Sequence, residues 1–211
     1  MEASNLPYKN TALIIGKLIS CRKVHEQLGA AFYDLTLRVN RLTDGKHDDI
    51  VIYAPQWALP GRIAISDTLR VVGEVRTYKN LNSLWQSKCT KVYTKKITIV
   101  DANVPHTNRV ELIGNLSKVG KKRNIPITNK VMTDFSVVVY RTEGYSKGER
   151  SDFINCVAWG NEIFAKLNHS VSKKIRIIGR IQERTFEKRH SNDTVTKETV
   201  HEISCASIEI L

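Results

Sequence analysis

Apolar and polar residues alternate with a period of two along most of this 211-residue chain, the pattern of strands that bury one face. In DFINCVAW (152–159), Phe153, Asn155, Val157 and Trp159 share one face, and Ile154, Cys156 and Ala158 share the other. FSVVVYR (135–141) alternates in the same way. IRIIGRIQERTF (175–186) sets Ile175, Ile177, Gly179 and Ile181 against Arg176, Ile178, Arg180, Gln182, Arg184 and Phe186. A last strand, VHEISCASIEIL, is predicted at 200–211. Helical spacing stands out in NEIFAKLNHSV (161–171), through Ile163, Phe164 and Leu167.

The strand pattern occurs twice. NTALIIGKL (10–18) and NRVELIGNL (108–116) each place an Asn six positions before a Gly, and LRVVGEV (69–75) matches IRIIGRI (175–181). A repeat of about a hundred residues suits a small domain rather than a solenoid unit. Two domains are therefore expected, residues 1–103 and 104–211, joined through VDANVPHTN (100–108). Each reads strand, strand, strand, short helix, strand, strand. The segment of the first half that matches the helix, QWALPGRIAISD, contains Pro60 and Gly61, so a helix there is short or distorted. This order is that of the OB-fold. The expected fold class is all-β: two tandem OB-folds, five-stranded Greek-key barrels, each with a short helix between strands 3 and 4.

The second half resembles the bacterial single-stranded DNA-binding protein family. The resemblance rests on NRVELIGNL, FSVVV (135–139), DFINCVAWG (152–160), IRIIGRIQERTF and HEISCASIEIL (201–211), in the family's order. It implies a non-enzymatic protein that stacks bases on aromatics and steers the backbone with Lys and Arg. The matching aromatics are Phe153, Trp159 and Phe186, with Tyr145 near a fourth. The residues by themselves agree. Phe153 and Trp159 lie about 20 Å apart on one strand face at ~3.3 Å per residue, with Asn155 between them. Arg180 and Arg184 share an outward row with Phe186. Cations interleaved with aromatics suit a single strand, whose unstacked bases offer ring faces that a duplex hides.

Charge changes the picture further. The chain carries a formal net +12, split as 15 basic against 9 acidic residues through position 107 and 18 against 12 beyond it. Both halves thus favour a polyanionic partner. Lys121, Lys122 and Arg123 are expected in the turn between strands one and two, and Lys188 and Arg189 in the last hairpin, where they flank an OB-fold groove.

The first half resembles the family more faintly, through NTALIIGKL, FYDLTLRV and LRVVGEVRTY. Aligning Asp49 with Asp152 sets Ile50, Ile52 and Gln56 at the positions of Phe153, Asn155 and Trp159, with Trp57 one residue out of register. Tyr78 aligns with Phe186 through a shared Thr-aromatic pair. The first half is expected to bind more weakly, through Tyr78, Trp85, Arg76 and Lys88.

Other chemistries find little support. The histidines show no HxxxH or HExxH spacing, no Cys-His cluster suggests zinc, and no glycine loop cradles a phosphate. Asp48 and Asp49 should face opposite ways and make a poor acid–base pair. No cofactor, metal or catalytic residue is expected. Cys21, Cys89, Cys156 and Cys205, without a CxxC, read as buried reduced thiols. No apolar run reaches membrane-span length, and the N-terminus lacks a signal pattern, so a cytoplasmic protein is expected. Family members often assemble four OB-folds, which makes a homodimer the economical assembly. The chain stops at its last strand, so replication or recombination partners are not expected to be recruited through an acidic tail. A primosomal-type interaction platform and an RNA-binding OB protein are the alternatives left open.

Overall fold

The structure is a computed structural model that describes residues 6–41, 45–79, 88–125, 130–141, 151–189 and 194–211. Ten strands follow the alternation: β1 (Lys9–Gln27), β2 (Ala30–Asn40), β3 (His47–Pro55), β4 (Thr68–Lys79), β5 (Lys88–Val100), β6 (Thr107–Ile125), β7 (Lys130–Tyr140), β8 (Ser151–Trp159), β9 (Lys174–Arg189) and β10 (Val195–Ile210). Their inward residues, among them Ile14, Leu37, Ile52, Val71, Leu112, Val137, Ile154, Ile177 and Ile203, are buried in one apolar cluster. The helical spacing gives α1 (Asn161–Asn168), which buries Leu167 and carries Glu162 in its first turn and Lys166 in its last, each sign favoured at that end of the helix.

The expected fold class needs correction in two respects. The described strands are not two separate five-stranded barrels. They form one continuous mixed sheet in the order β2-β3-β5-β4-β1-β6-β7-β8-β10-β9, with further pairings β1–β2 and β6–β9. The halves are fused where β1 pairs antiparallel with β6, from Lys9↔Ile113 to Ile15↔Thr107. The second correction concerns the helix, which among the described residues forms only between β8 and β9. Its counterpart in the first half is a single 3₁₀ turn, Gln56–Ala58, because Pro60 can neither donate a backbone hydrogen bond nor continue a helix. Alternation states which face of a strand is buried but not which strand takes up its edge, so the β1–β6 seam left no mark in the sequence pattern.

That seam is symmetric about Ala12↔Val110, with Asn10↔Leu112 balanced by Ile14↔Asn108. The repeated sequence signature has a mechanical meaning under this relation. Asn10 donates from Nδ2 to Val75 O at 2.8 Å and accepts the Val75 N–H at 2.8 Å. Asn108 does the same to Ile181, at 2.7 and 2.9 Å. Six residues on, Gly16 and Gly114 lie against the Arg38 and Val138 carbonyls, so closely that a Cβ at Gly114 would strike the Val138 oxygen.

Candidate nucleic-acid interface

In the second half, β8 presents Phe153 and Trp159 to solvent, each 44% exposed, while Ile154, Cys156 and Ala158 enter the core. Asn155 is exposed between them, where it accepts a hydrogen bond from Ser136 Oγ at 3.1 Å. Val157, expected on the same face, is buried. Trp159 stands over a cavity of about 490 Å³ lined by Lys130, Val131, Gly160 and Asn161. A second groove, of about 260 Å³, runs past Lys118, Phe135, Ser136, Asn155, Arg184 and Phe186.

The β9 row is less uniform than alternation suggests. The Arg184 guanidinium lies 4.9 Å from the Phe186 ring centroid and donates to Glu202 at 2.9 and 3.1 Å. That carboxylate raises the guanidinium's pKa further above its ordinary value. Gln182 is buried and also donates to Glu202. Arg180 turns toward the first half and pairs with the buried Asp48 carboxylate. Lys121, Lys122 and Arg123 are exposed, but on β6 rather than in a turn, since that strand runs on to Ile125. Arg123 pairs with Asp134. Lys188 and Arg189 belong to β9, opposite Thr196 and Val195. Their side chains, that of Lys88 on β5, and Tyr145 and Trp85 altogether, lie outside the described residues.

The register of the first half differs from the expected alignment. Val39 pairs with Asp48 as Val139 pairs with Asp152. Arg41 grips Asp48 at 2.6 and 3.0 Å, just as Arg141 grips Asp152 at 2.7 Å through two nitrogens. Asp48, not Asp49, is therefore the counterpart of Asp152. Asp49, Val51, Tyr53 and Pro55 occupy the positions of Phe153, Asn155, Val157 and Trp159, and Ile50 and Ile52 are core residues. Trp57 sits in the 3₁₀ turn, 61% exposed. Tyr78 matches Arg184 rather than Phe186, because Val75 and Ile181 hold equivalent places against the two asparagines.

The first half has an aromatic face nonetheless, made of the expected Tyr78 and of four residues that the sequence reading missed, His25, Phe32, Tyr53 and Tyr93. His25 stacks on Phe32 with ring centroids 4.9 Å apart and planes at 5°, and Phe32 stacks on Tyr53 at 5.4 Å. Tyr53 also meets Tyr78 at 5.0 Å and Tyr93 at 6.3 Å. These residues come from all five strands of the half, which is why no local motif announced them. Lys91 reaches the edge of the cluster, 5.7 Å from Tyr53 and 5.9 Å from Tyr78, while salt-bridged to Asp34 at 2.7 Å. Arg76 is buried, 3.8 Å over Tyr93 and paired with Glu74. Burial pushes the Tyr78 phenol well above its ordinary range, so it stays neutral.

Groups for other chemistry are sparse. No cluster of three or more His, Cys, Asp or Glu side chains among the described residues could hold a metal. All four cysteines are free; Cys21 is exposed, contrary to expectation, and Cys156 is buried. No described helix is long and apolar enough to cross a membrane.

Comparison with known proteins extends the picture. Residues 107–211 match the single-strand binding protein family. The chain is 35% identical over 94 residues to a single-stranded DNA-binding protein of Clostridium tetani, covering 44% of this chain and 65% of that protein. It is 33% identical over 97 residues to single-stranded DNA-binding protein 3 of Streptococcus agalactiae, covering 45% of this chain and 70% of that one. The chain thus spans about two thirds of the length of these relatives. Over 98% of its length it shares the fold of the wild-type single-stranded DNA binding protein from Thermus aquaticus, at a TM-score of 0.72 and 16% identity, covering 94% of that chain.

Proposed function

The chain belongs to the single-strand binding protein family, and from that premise we propose that it binds single-stranded DNA without catalysis and with little sequence preference. The observation that carries this reading is the outward face of β8, where two large aromatics remain exposed on either side of Asn155. A buried core has no use for them there, whereas unstacked bases do. Each base–aromatic stack contributes about 1–3 kcal/mol. Phosphates would be met by Lys121, Lys122 and Arg123 on the β6 arm, by Lys188 and Arg189 on β9, and by Arg184 beside Phe186. Residues 104–211 form the principal binding unit in this reading. Tyr145 is assigned to that unit. Residues 1–103 form a second one, centred on Tyr78, Tyr53 and Phe32, with Lys88 and Trp85 assigned to contacts at its margin, while Arg76, buried over Tyr93, supports the rings from within.

The setting that fits is cytoplasmic DNA replication, recombination or repair, with the chain as a homodimer. Sedimentation that gives a single 24 kDa species at micromolar concentration would remove the dimer. The binding reading is tested by anisotropy titration of labelled single-stranded DNA, RNA and duplex at two salt concentrations. Single-stranded DNA should bind tightest, with affinity falling steeply as salt rises because each phosphate contact releases a counterion. Equal binding to duplex refutes base stacking, and preference for RNA reassigns the ligand.

A further inference from the structure

Two equivalent contacts join the halves on either side of the β1–β6 seam, and the residues that directly follow the contacting pair are aromatic at one of them and charged at the other. At the first, Asp152 of β8 accepts the Thr77 backbone N–H at 2.8 Å and the Thr77 hydroxyl at 3.1 Å, while Arg141 donates to both of its carboxylate oxygens. At the second, Asp48 of β3 accepts the Glu183 backbone N–H at 3.3 Å and pairs with Arg180. Both aspartates are buried. Their neighbours differ in kind. Beside Asp152 stands exposed Phe153, and beside Thr77 stands Tyr78, whose ring meets Tyr53 at 5.0 Å. The corresponding places at the other contact are taken by Asp49, whose carboxylate is paired with Arg38, and by Arg184, neutralised by Glu202. Glu183 and His201 close that side further, 3.8 Å apart, with the His201 ring bonded to the Asp49 carbonyl at 2.8 Å.

We propose that one nucleic-acid strand crosses from the second half to the first at the Asp152–Thr77 contact, with Asp152 as the positioning residue that joins two aromatic faces into a single track. This rests on the single-strand binding proposed above. The track runs along β8 from Trp159 to Phe153, over the contact, and on to Tyr78, Tyr53 and Phe32. The opposite contact is less suited to the crossing, because an ion-paired Asp49 and an ion-paired Arg184 stand where the first contact sets the rings of Phe153 and Tyr78, so the strand would lose two stacking partners there. Holding both faces in one rigid frame makes engagement of the second face an intramolecular step, so affinity should grow with strand length until both faces are covered.

The test compares oligo-dT of about 8 and about 25 nucleotides, lengths chosen to cover one face or both, on the unmodified protein, Asp152→Asn and Asp152→Ala. The unmodified protein should bind the long strand much more tightly than the short one, and the variants should reduce that ratio by on the order of tenfold. A ratio that stays at the unmodified value in folded variants overturns the crossing. Should the variants fail to fold, calorimetry on the unmodified protein decides: at most one long strand per chain is expected, and two per chain overturns the proposal. Tyr53→Leu and Trp159→Ala should each weaken binding of that same long strand. If the unmodified protein does not bind even the short strand, the stacking function falls and takes the crossing with it. If it binds the short strand with no gain from length, the crossing alone falls.

Discussion

Replacing Asn108 with Ala should destabilise the protein by about 2–4 kcal/mol, far more than a half-buried polar residue ordinarily contributes. The Asn108 amide makes two hydrogen bonds, at 2.7 and 2.9 Å, to the carbonyl and N–H of Ile181, 73 residues away. The β6–β9 ladder ends at Val110↔Gly179, so no strand neighbour from β6 serves Ile181 on that side. Ile181 is 1% exposed, which leaves water a poor substitute. Two net hydrogen bonds at about 1 kcal/mol each set the lower bound, and the desolvation cost of two unpaired buried groups, about 1–3 kcal/mol apiece, sets the direction of any excess. Asn108→Asp keeps the acceptor but loses the donor and turns a carboxylate on the Ile181 carbonyl, so it should be at least as harmful. Asn10→Ala should cost a similar amount through Val75, whose two bonds are both 2.8 Å. Urea unfolding followed by circular dichroism measures the loss by linear extrapolation. In thermal unfolding it corresponds to roughly 4–16 °C at about 2–4 °C per kcal/mol for a chain of this size. A loss under about 0.5 kcal/mol in the Ala variant, or full stability in the Asp variant, would show that the amide is not a clamp and that the repeat has another cause.

Other expectations follow from the same geometry. Trp159→Ala should weaken single-stranded DNA binding by about 1–3 kcal/mol, read by anisotropy, and a variant that binds like the parent removes Trp159 from the interface. Asp48→Ala should destabilise by about 3–5 kcal/mol, because removing it leaves Arg41 and Arg180 without the carboxylate they share; a change below about 1 kcal/mol in urea unfolding counts against a buried network. Gly179→Ala should cost about 1–3 kcal/mol, since a Cβ there would strike the Ser204 carbonyl oxygen and lie 3.1 Å from Ile203 Cγ2. The Asp49 carboxyl is held below its ordinary 3.8 by hydrogen bonding to Arg38, and Glu111 below its ordinary 4.5 by Lys9 and Arg176. Lowered folded-state values mean that their stabilisation is complete above about pH 4.5 and is lost as pH falls through those values and beyond. Thermal melts between pH 6 and pH 2 should therefore show falling stability, less steeply in Arg176→Gln.

The second half was legible because its candidate site residues lie close together along single strands. Phe153, Asn155 and Trp159 follow one another on β8, and alternation alone sends them outward. Arg180, expected in an outward row of β9 with Arg184 and Phe186, turns toward the first half instead, because alternation could not know that β9 passes Asp48 there. The first half was harder. A shift of one residue at Asp48 moves every side chain of β3 to the opposite face, so Ile50 and Ile52 were set in place of Tyr53's row. His25, Phe32, Tyr53, Tyr78 and Tyr93 meet only after five strands have found their neighbours.

The sequence by itself determined the local content: the strand positions, the one good helix, the duplication, the shared positive charge and the aromatic row of β8. Each of these follows from side-chain period or composition within one short segment. Only the tertiary structure decided what the edges and long-range partners would be. It joined β1 to β6 in one continuous sheet, gave the repeated Asn a backbone to clamp, buried Asp48 and Asp152 where the halves meet, and gathered the scattered rings of the first half. The physical reason is the same in each case. A period states which way a side chain points, whereas pairing and register depend on backbone groups that every residue carries alike.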